Sequence, residues 1–238
     1  KEDSIYYAKR IQTAILPPNR VIKKALSNSF ILYKPKDIVS GDFYWAAVSK
    51  KMFLFSAIDC TGHGVPGALV SVVCNNGLNR AVREHHITTP GDILNKTLEI
   101  VSEEFKKSED QITDGMDIAL CSLQNNCLEY AGAFNPLWII RNGANEVEEI
   151  KGDRQSIGWV DDSIKYKTHK VQLQKGDSIY VFSDGFADQF GGEKGKKFKN
   201  QQFRPLLLSI QKKSMEEQKA IIEKTFIDWK GDEDQVDD

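Results

Sequence analysis

The pattern of hydrophobic and polar positions predicts one helix at the start of the chain and strands from about residue 29 onwards. Residues 2–16 place apolar side chains on one helical face, and Pro17-Pro18 ends this helix. Short segments rich in β-branched and aromatic residues then predict strands at 29–35, 42–48, 52–59, 117–123, 127–133, 137–141, 147–150 and 177–184.

Further helices interrupt these strands. The segment from Pro66 to about residue 84 is rich in Val, Ala and Leu, which predicts a largely buried helix. Residues 92–107 form an amphipathic pattern, and two more helices are predicted at about 200–212 and 214–229. Strand clusters with hairpin-length connections favour an α+β fold of antiparallel sheets covered by helices over a βαβ arrangement.

Composition narrows the function classes. The 238 residues carry a net charge of −2 without a long basic run, so nucleic acid is not predicted as a partner. There is neither an apolar run of membrane-spanning length nor a signal-peptide pattern, and the chain lacks an initiator Met, as a fragment of a longer protein would. The four cysteines show no CxxC spacing, which predicts free thiols and a cytoplasmic protein.

Two aspartates begin and end a predicted hairpin. If its turn is centred on Lys50-Lys51, Asp42 and Asp59 lie opposite each other on antiparallel strands. Opposed residues have Cβ atoms roughly 5 Å apart, so their carboxylates repel unless a cation lies between them. Oxygen ligands of this kind suit Mg²⁺ or Mn²⁺, whereas the alternative is two unrelated acids at strand ends.

Other candidate groups follow this hairpin along the chain. His63 lies in a glycine-rich turn directly after Asp59 and is a candidate proton donor, the alternative being an ordinary surface histidine. Asp184 ends an apolar strand and precedes a glycine, while the nearby Asp177 and Asp188 are interpreted as turn or solvated residues. The acidic tail adds Asp237 and Asp238, which by themselves would indicate only a solvated terminus.

Six segments in one order make the pattern specific. They are SGDFYW (40–45), DCTGHGVPGA (59–68), DGMDIAL (114–120), YAGAFNPLWIIR (130–141), SDGFADQFGG (183–192) and QVDD (235–238). Together they resemble the SpoIIE/RsbU branch of the metal-dependent PPM phosphatases, and AKRIQTAILPP (8–18) resembles the entry helix of RsbU-like members. The resemblance implies a PPM-type αββα sandwich in which two antiparallel β-sheets are flanked by helices.

The resemblance also implies a set of site residues. Two Mn²⁺ or Mg²⁺ ions would be held by Asp42, Asp59, Asp184, Asp237 and the backbone carbonyl of Cys60, with Asp59 bridging them. Asp42, Asp59 and His63 would form the catalytic group. Asp114 and Asp117 lie in a family-like segment without an assigned role. Lys34 and Lys36 are candidates for binding substrate phosphate, the alternative being solvated surface lysines.

Function and domain organisation follow from the same resemblance. Residues 1–18 are predicted to be a linker or regulatory helix, and residues 19–238 a SpoIIE-like phosphatase domain. The predicted activity is hydrolysis of phosphoserine or phosphothreonine by metal-activated water, on a phosphorylated STAS-type regulatory protein that acts as an anti-sigma-factor antagonist.

We further expect an upstream sensor domain, which would tether the cytoplasmic phosphatase domain to a membrane in the full-length protein. We also expect a homodimer formed through the N-terminal helix. Two alternatives stay open. One is a phosphatase-like module that binds a partner without turnover, and the other is a hydrolase of small phosphoesters.

Overall fold

The computed structural model of the chain describes residues 1–158 and 162–238. Its helices are α1 (Glu2–Ile15), α2 (Asn19–Ala25), α3 (Gly64–Arg83), α4 (Pro90–Lys106), α5 (Asn200–Ser209) and α6 (Met215–Lys230). Its strands are β1 (Asp42–Ser49), β2 (Met52–Cys60), β3 (Gly115–Gln124), β4 (Cys127–Ala133), β5 (Leu137–Ile140), β6 (Glu148–Ile150), β7 (Ile157–Gly158), β8 (His169–Gln172), β9 (Ser178–Tyr180), β10 (Phe190–Gly191) and β11 (Lys196–Lys197).

The strands form two principal antiparallel sheets. The larger sheet has the order β1-β2-β3-β4-β8, with β7 paired to β3, and the smaller has the order β6-β5-β9. Strands β10 and β11 form a separate small hairpin. Consecutive strands that are joined by short turns lie next to each other, which is the antiparallel arrangement that the hairpin-length connections predict.

Alternating side chains on the strands build the layers. On β3, Ile118 and Leu120 pack against α3 and α4, whereas Ala119 and Cys121 face the space between the two sheets. On β5, Trp138 and its alternate neighbour Ile140 instead pack against α5 and α6. The order of layers is therefore helices, sheet, sheet, helices, and the predicted αββα sandwich is confirmed.

Helix α3 is less buried than its composition predicts. Cys74, Leu78 and Ala81 are fully buried against the sheet, but Leu69 and Val72 on the opposite face are exposed to solvent. A single layer of helices buries only the stripe that faces the sheet, so apolar residues at other positions on the helix stay outside. The prediction that α3 is largely buried is therefore wrong for its outer face.

The prediction of a strand at residues 29–35 is wrong. These residues form no strand, although Phe30 and Leu32 pack against the cluster beneath α5 and α6. Pro35 has no N–H to donate to a neighbouring strand, and the carbonyl oxygen of Lys34 accepts a hydrogen bond from the side chain of Gln235 instead. The predicted strand at 177–184 is shortened to β9, so Asp184 lies beyond the strand end rather than on it.

Helix α1 has the predicted extent but exposes most of its predicted apolar face, although Leu16 at its end packs against the core. Ile11 and Ile15 are exposed, whereas Gln12 is buried and makes the contact with the rest of the fold. Within residues 1–158 and 162–238, no helix combines the length and apolar character that crossing a membrane requires.

Candidate active site

Three aspartates form a row across adjacent strands of the larger sheet. Asp42 of β1 lies opposite Asp59 of β2, which confirms the predicted hairpin register. Asp59 in turn lies opposite Asp117 of β3. Lys50 at the hairpin turn adopts a positive φ of 57°, and this allows the tight connection that centres the register there.

An open cleft of about 310 Å³ lies at the end of this row. It brings together predicted site residues from three distant parts of the sequence. The lining residues are Asp59, Cys60, Thr61, Gly62, His63, Met116, Asp117, Ser156, Asp184, Val236 and Asp237. Asp42, the partner of Asp59 across the hairpin, is only 8% exposed and does not line the cleft.

The buried carboxylates perturb one another. Burial, the charge of Asp42 and a hydrogen bond shared with Asp184 all raise the pKa of Asp59. Burial likewise raises the pKa of Asp42 to about 7, although hydrogen bonds with Ser183 and Asp59 oppose that rise. Burial also raises the pKa values of Asp117 and Asp237, and the charge of Asp184 adds to both. Concentrated negative charge of this kind requires a proton or a cation for stability.

The donor atoms suit a hard divalent cation, since they are carboxylate oxygens converging on one cleft. Among the residues that the structure describes, however, no group of three or more His, Cys, Asp or Glu side chains is arranged so that it could hold a metal ion. Asp59 shares hydrogen bonds with Asp42 and Asp184, so these acids are turned towards each other. The residue types suit a hard divalent cation, and the carboxyl groups of Asp42, Asp59 and Asp184 lie close enough to interact with one another.

The last two aspartates face different ways. Asp237 lines the cleft, whereas the carboxylate of Asp238 points to the loop before β1. It accepts hydrogen bonds from the backbone N–H groups of Lys36 at 2.9 Å, Gly41 at 2.8 Å and Asp42 at 3.4 Å. Packing here is close: a Cβ on Gly185 would lie 1.9 Å from the carbonyl oxygen of Asp238.

The remaining predicted site residues differ in their surroundings. His63 lines the cleft, directly precedes α3, and its Nδ1 lies 2.9 Å from Oδ2 of Asp37. Burial, together with the neighbouring Cys74, raises the pKa of the Cys60 thiol well above its usual value. Lys34 pairs with Glu223 at 3.5 Å, and neither it nor Lys36 lines the cleft.

Comparison with known proteins decides the family. Residues 49–238 match the family model described as stage II sporulation protein E (SpoIIE). The chain belongs to the SpoIIE family.

Solved structures agree with the SpoIIE assignment. The SiaA-PP2C domain of Pseudomonas aeruginosa is 33% identical, with a TM-score of 0.89 over 99% of this chain and 93% of that one. The PP2C domain with a regulatory fragment of SpoIIE from Bacillus subtilis is 18% identical, with a TM-score of 0.68 over 86% of this chain and 58% of that one.

The RsbU and RsbW domains of a Mycobacterium tuberculosis protein are 17% identical to the chain, with a TM-score of 0.61 over 79% of this chain and 51% of that one. At these identities the second and third structures show a shared fold alone. A search of curated proteins gave no match. As a SpoIIE-family domain of PP2C type, the chain is a protein serine/threonine phosphatase.

The SpoIIE-type cleft contains residues that sequence reasoning left without a role. Asp117 lines it opposite Asp59, Ser156 donates a hydrogen bond to Asp117, and Ser183 donates one to Asp42. Asp117 stands in a recognisable motif, but its register with Asp59 depends on pairing between strands that α3 and α4 separate in sequence. Ser156 carries no sequence signal, since only the fold brings it to the cleft.

Proposed function

We propose that this domain hydrolyses phosphoserine or phosphothreonine on a regulatory protein by means of two Mn²⁺ or Mg²⁺ ions. The observation that carries the proposal is the convergence of Asp59, Asp117, Asp184 and Asp237 on one cleft. Four carboxylates in one place repel each other when ionised, and divalent cations would relieve that repulsion while staying accessible to a phosphate group.

Asp42, Asp59, Asp184, Asp237 and the Cys60 carbonyl would hold the ions. When bound, the ions supply a water of lowered pKa and neutralise charge on the phosphoryl oxygens. Ser183 holds Asp42 by donating a hydrogen bond to its carboxylate, so one ligand is oriented before any ion binds. Ser156 orients the Asp117 carboxylate at the rim in the same way.

His63 is proposed as the proton donor to the departing seryl or threonyl oxygen. In the proposed tautomer, Nδ1–H donates a hydrogen bond to the Asp37 carboxylate, which leaves Nε2 to face the substrate. A histidine held in this way has a fixed ring orientation, which general acid catalysis needs. Lys34 and Lys36 remain a weaker proposal for phosphate binding, because neither lines the cleft.

A phosphorylated STAS-type regulator is the proposed substrate. Fold similarity to a structure that joins RsbU and RsbW domains, and to one described in connection with the bacterial stressosome, supports a regulatory phosphoprotein as the substrate.

We further propose that residues 1–18 connect the phosphatase domain, residues 19–238, to an upstream sensor domain. The phosphatase domain would lie in the cytoplasm, and the sensor would tether it to the membrane. The exposed Tyr7, Ile11 and Ile15 on α1 support a homodimer through this helix.

Asp59→Asn tests the metal-dependent activity. Replacing this central carboxylate should lower Mn²⁺-dependent phosphate release from a phosphoserine protein by at least about 100-fold, the scale of losing one preorganised electrostatic group. Circular dichroism should show an unchanged fold. The matched control is Asp110→Asn, which alters an exposed aspartate and should keep full activity. Activity of Asp59→Asn near the wild-type level would overturn the assignment.

The same assay separates the alternatives. A module that binds a partner without turnover would release no phosphate from any substrate while retaining partner binding. A hydrolase of small phosphoesters would prefer p-nitrophenyl phosphate to phosphoproteins. Mn²⁺-dependent release that favours the phosphoprotein supports the proposed function.

A further inference from the structure

A second cleft of about 390 Å³ adjoins the carboxylate cleft. Thr61 and Ser156 line both, so the two spaces meet at these side chains. The other residues of the second cleft are Thr113, Gly115, Phe134, Arg154, Gln155, Gly158, Asp162 and Ile164. A ligand group at the carboxylates therefore has a formed space beside it for whatever is attached to that group.

Hydrogen bonds hold one wall of this second cleft in place. The backbone of Asp153 donates to Gly132 O at 2.8 Å and accepts from Phe134 N at 2.9 Å. The buried side chain of Gln155 donates to Ile164 O at 3.1 Å and accepts from Ile164 N at 2.9 Å. These bonds fix the segment that carries Arg154 on both sides, so the position of Arg154 along the wall is set by the fold.

Phe134 is an unusual residue in the same wall. Its φ is +63°, a left-handed conformation that is uncommon for a bulky side chain, and 46% of its surface is exposed. A strained backbone conformation costs free energy, and such residues concentrate at functional and ligand-binding sites. Phe134 therefore offers an apolar contact at the edge of the second cleft.

Arg154 brings a positive charge to the second cleft. Among the described residues that line the two clefts, it is the one lysine or arginine, whereas the carboxylate cleft beside it presents four aspartates. It is exposed, so its guanidinium is accessible to a partner. An arginine in this position matches a carboxylate through paired N–H donors. Asp162 also lines the cleft and would favour a basic group, so both charges require testing.

We propose that the second cleft binds the polypeptide next to the phosphorylated residue, and that Arg154 selects an acidic side chain there. This inference rests on the proposed function, because it requires the phosphate group to occupy the carboxylate cleft. Phe134 would contact the peptide's apolar parts, while Arg154 would discriminate between sequences.

Binding of peptide analogues tests this selection independently of turnover. Fluorescent peptides would carry a non-hydrolysable phosphonate in place of phosphoserine, flanked on both sides by aspartate, alanine or lysine. Anisotropy with wild-type protein and Mn²⁺ should show the aspartate peptide binding about three- to fivefold tighter than the alanine peptide, the upper range for one exposed ion pair. Arg154→Glu should reverse the order of the aspartate and lysine peptides. Arg83→Glu is the control, since Arg83 is exposed at the end of α3 and should leave the order unchanged.

The outcomes separate the two proposals. Equal affinities for the three peptides, or an aspartate preference that survives Arg154→Glu, would overturn the role of Arg154. A lysine preference in the wild type would assign the selection to Asp162 and would also overturn it. Failure of the hydrolysable phosphoserine versions to release phosphate with Mn²⁺ counts against the proposed function alone, because the binding preference is measured without turnover.

Discussion

At the residue scale, Asp237 and Asp238 show how adjacent acids acquire different roles. The Asp237 carboxylate lines the cleft with Asp59 and Asp184, whereas Asp238 accepts three backbone hydrogen bonds from the segment that leads into β1. A carboxylate that receives several N–H groups fixes the loop that supplies them. Asp238 thus positions Asp42, which begins β1 at the end of that loop.

Asp238→Ala tests this positioning role. The three N–H groups lose their acceptor, which should lower the free energy of unfolding by about 1–3 kcal/mol. Mn²⁺ affinity measured by calorimetry should fall about 10- to 100-fold, as for other residues that orient metal ligands. Asp238→Asn should recover part of that affinity, because its amide oxygen still accepts. Asp232→Ala, an exposed change in the same acidic segment, is the control. Wild-type Mn²⁺ affinity in Asp238→Ala would contradict the role.

At the element scale, α1 is attached to the domain through a polar contact. The side chain of Gln12, 7% exposed, donates to Ser40 O at 2.6 Å and accepts from Ser40 N at 2.9 Å. Ser40 in turn accepts a hydrogen bond through its Oγ from Asp42 N at 3.0 Å. The helix is therefore connected to a proposed metal ligand by two successive hydrogen-bonded contacts, while its Ile11 and Ile15 face outwards.

Substitutions at two neighbouring residues distinguish the contributions of the buried and the exposed face of α1. Gln12→Ala leaves both backbone groups of Ser40 unpaired in a buried place, so the free energy of unfolding in urea should fall by about 1–3 kcal/mol. Ile11→Asp changes an exposed residue and should leave that stability within about 0.5 kcal/mol of the wild type. If α1 carries the proposed homodimer contact, light scattering should show that only Ile11→Asp lowers the molar mass. Equal stability of Gln12→Ala and the wild type would show that the contact does not hold the helix.

At the scale of the whole molecule, the layered fold assembles a charge cluster that no single element contains. Strands β1, β2 and β3 contribute one aspartate each, the segment after β9 contributes Asp184, and the end of the described chain contributes Asp237. Burial of these acids costs stability whenever they are ionised without a cation. We therefore expect the stability of the domain to depend on pH and, if the proposed ions bind, on divalent metal.

The metal-free protein should become less stable as the pH rises from about 4 to 7. Burial and neighbouring charge raise the pKa of Asp59 and bring that of Asp42 to about 7, above the usual value of 3.8. In this window the folded state binds more protons than the unfolded chain, so the free energy of unfolding falls by up to about 1.4 kcal/mol per pH unit for each extra proton. Calorimetry in EDTA should show the unfolding temperature falling across this range.

Mn²⁺ and Asp59→Asn provide the controls for this pH dependence. Mn²⁺ at about 100 times its dissociation constant should raise stability by about 2.7 kcal/mol at pH 7 and reduce the slope. Asp59→Asn removes one of the titrating acids and should reduce the slope without metal. A metal-free stability that stays constant or rises between pH 4 and 7 would contradict the linkage.

Much of the fold could be predicted from the sequence, because alternating apolar residues mark the strands and short turns join neighbouring strands. The opposition of Asp42 and Asp59 followed from a turn centred on Lys50-Lys51, because register in a tight hairpin is local. Local reasoning also located α3 and α4, since their period and their start signals lie within each segment. It placed a strand wrongly at 29–35, where composition suits a strand but none of the described strands pairs with the backbone.

Only the tertiary structure decided which residues share the site. Asp117 meets Asp59 because β3 pairs with β2 after two intervening helices, and Arg154 and Phe134 reach the second cleft through loops whose paths no periodicity encodes. The exposed face of α3 and the buried Gln12 of α1 likewise depend on which layer lies alongside. Among the described elements, the sequence by itself thus predicted five of the six helices and seven of the eleven strands, as well as the family-like acids, because these depend on neighbours along the chain. The structure decided how distant acids converge, because that depends on pairing and packing between elements far apart in sequence.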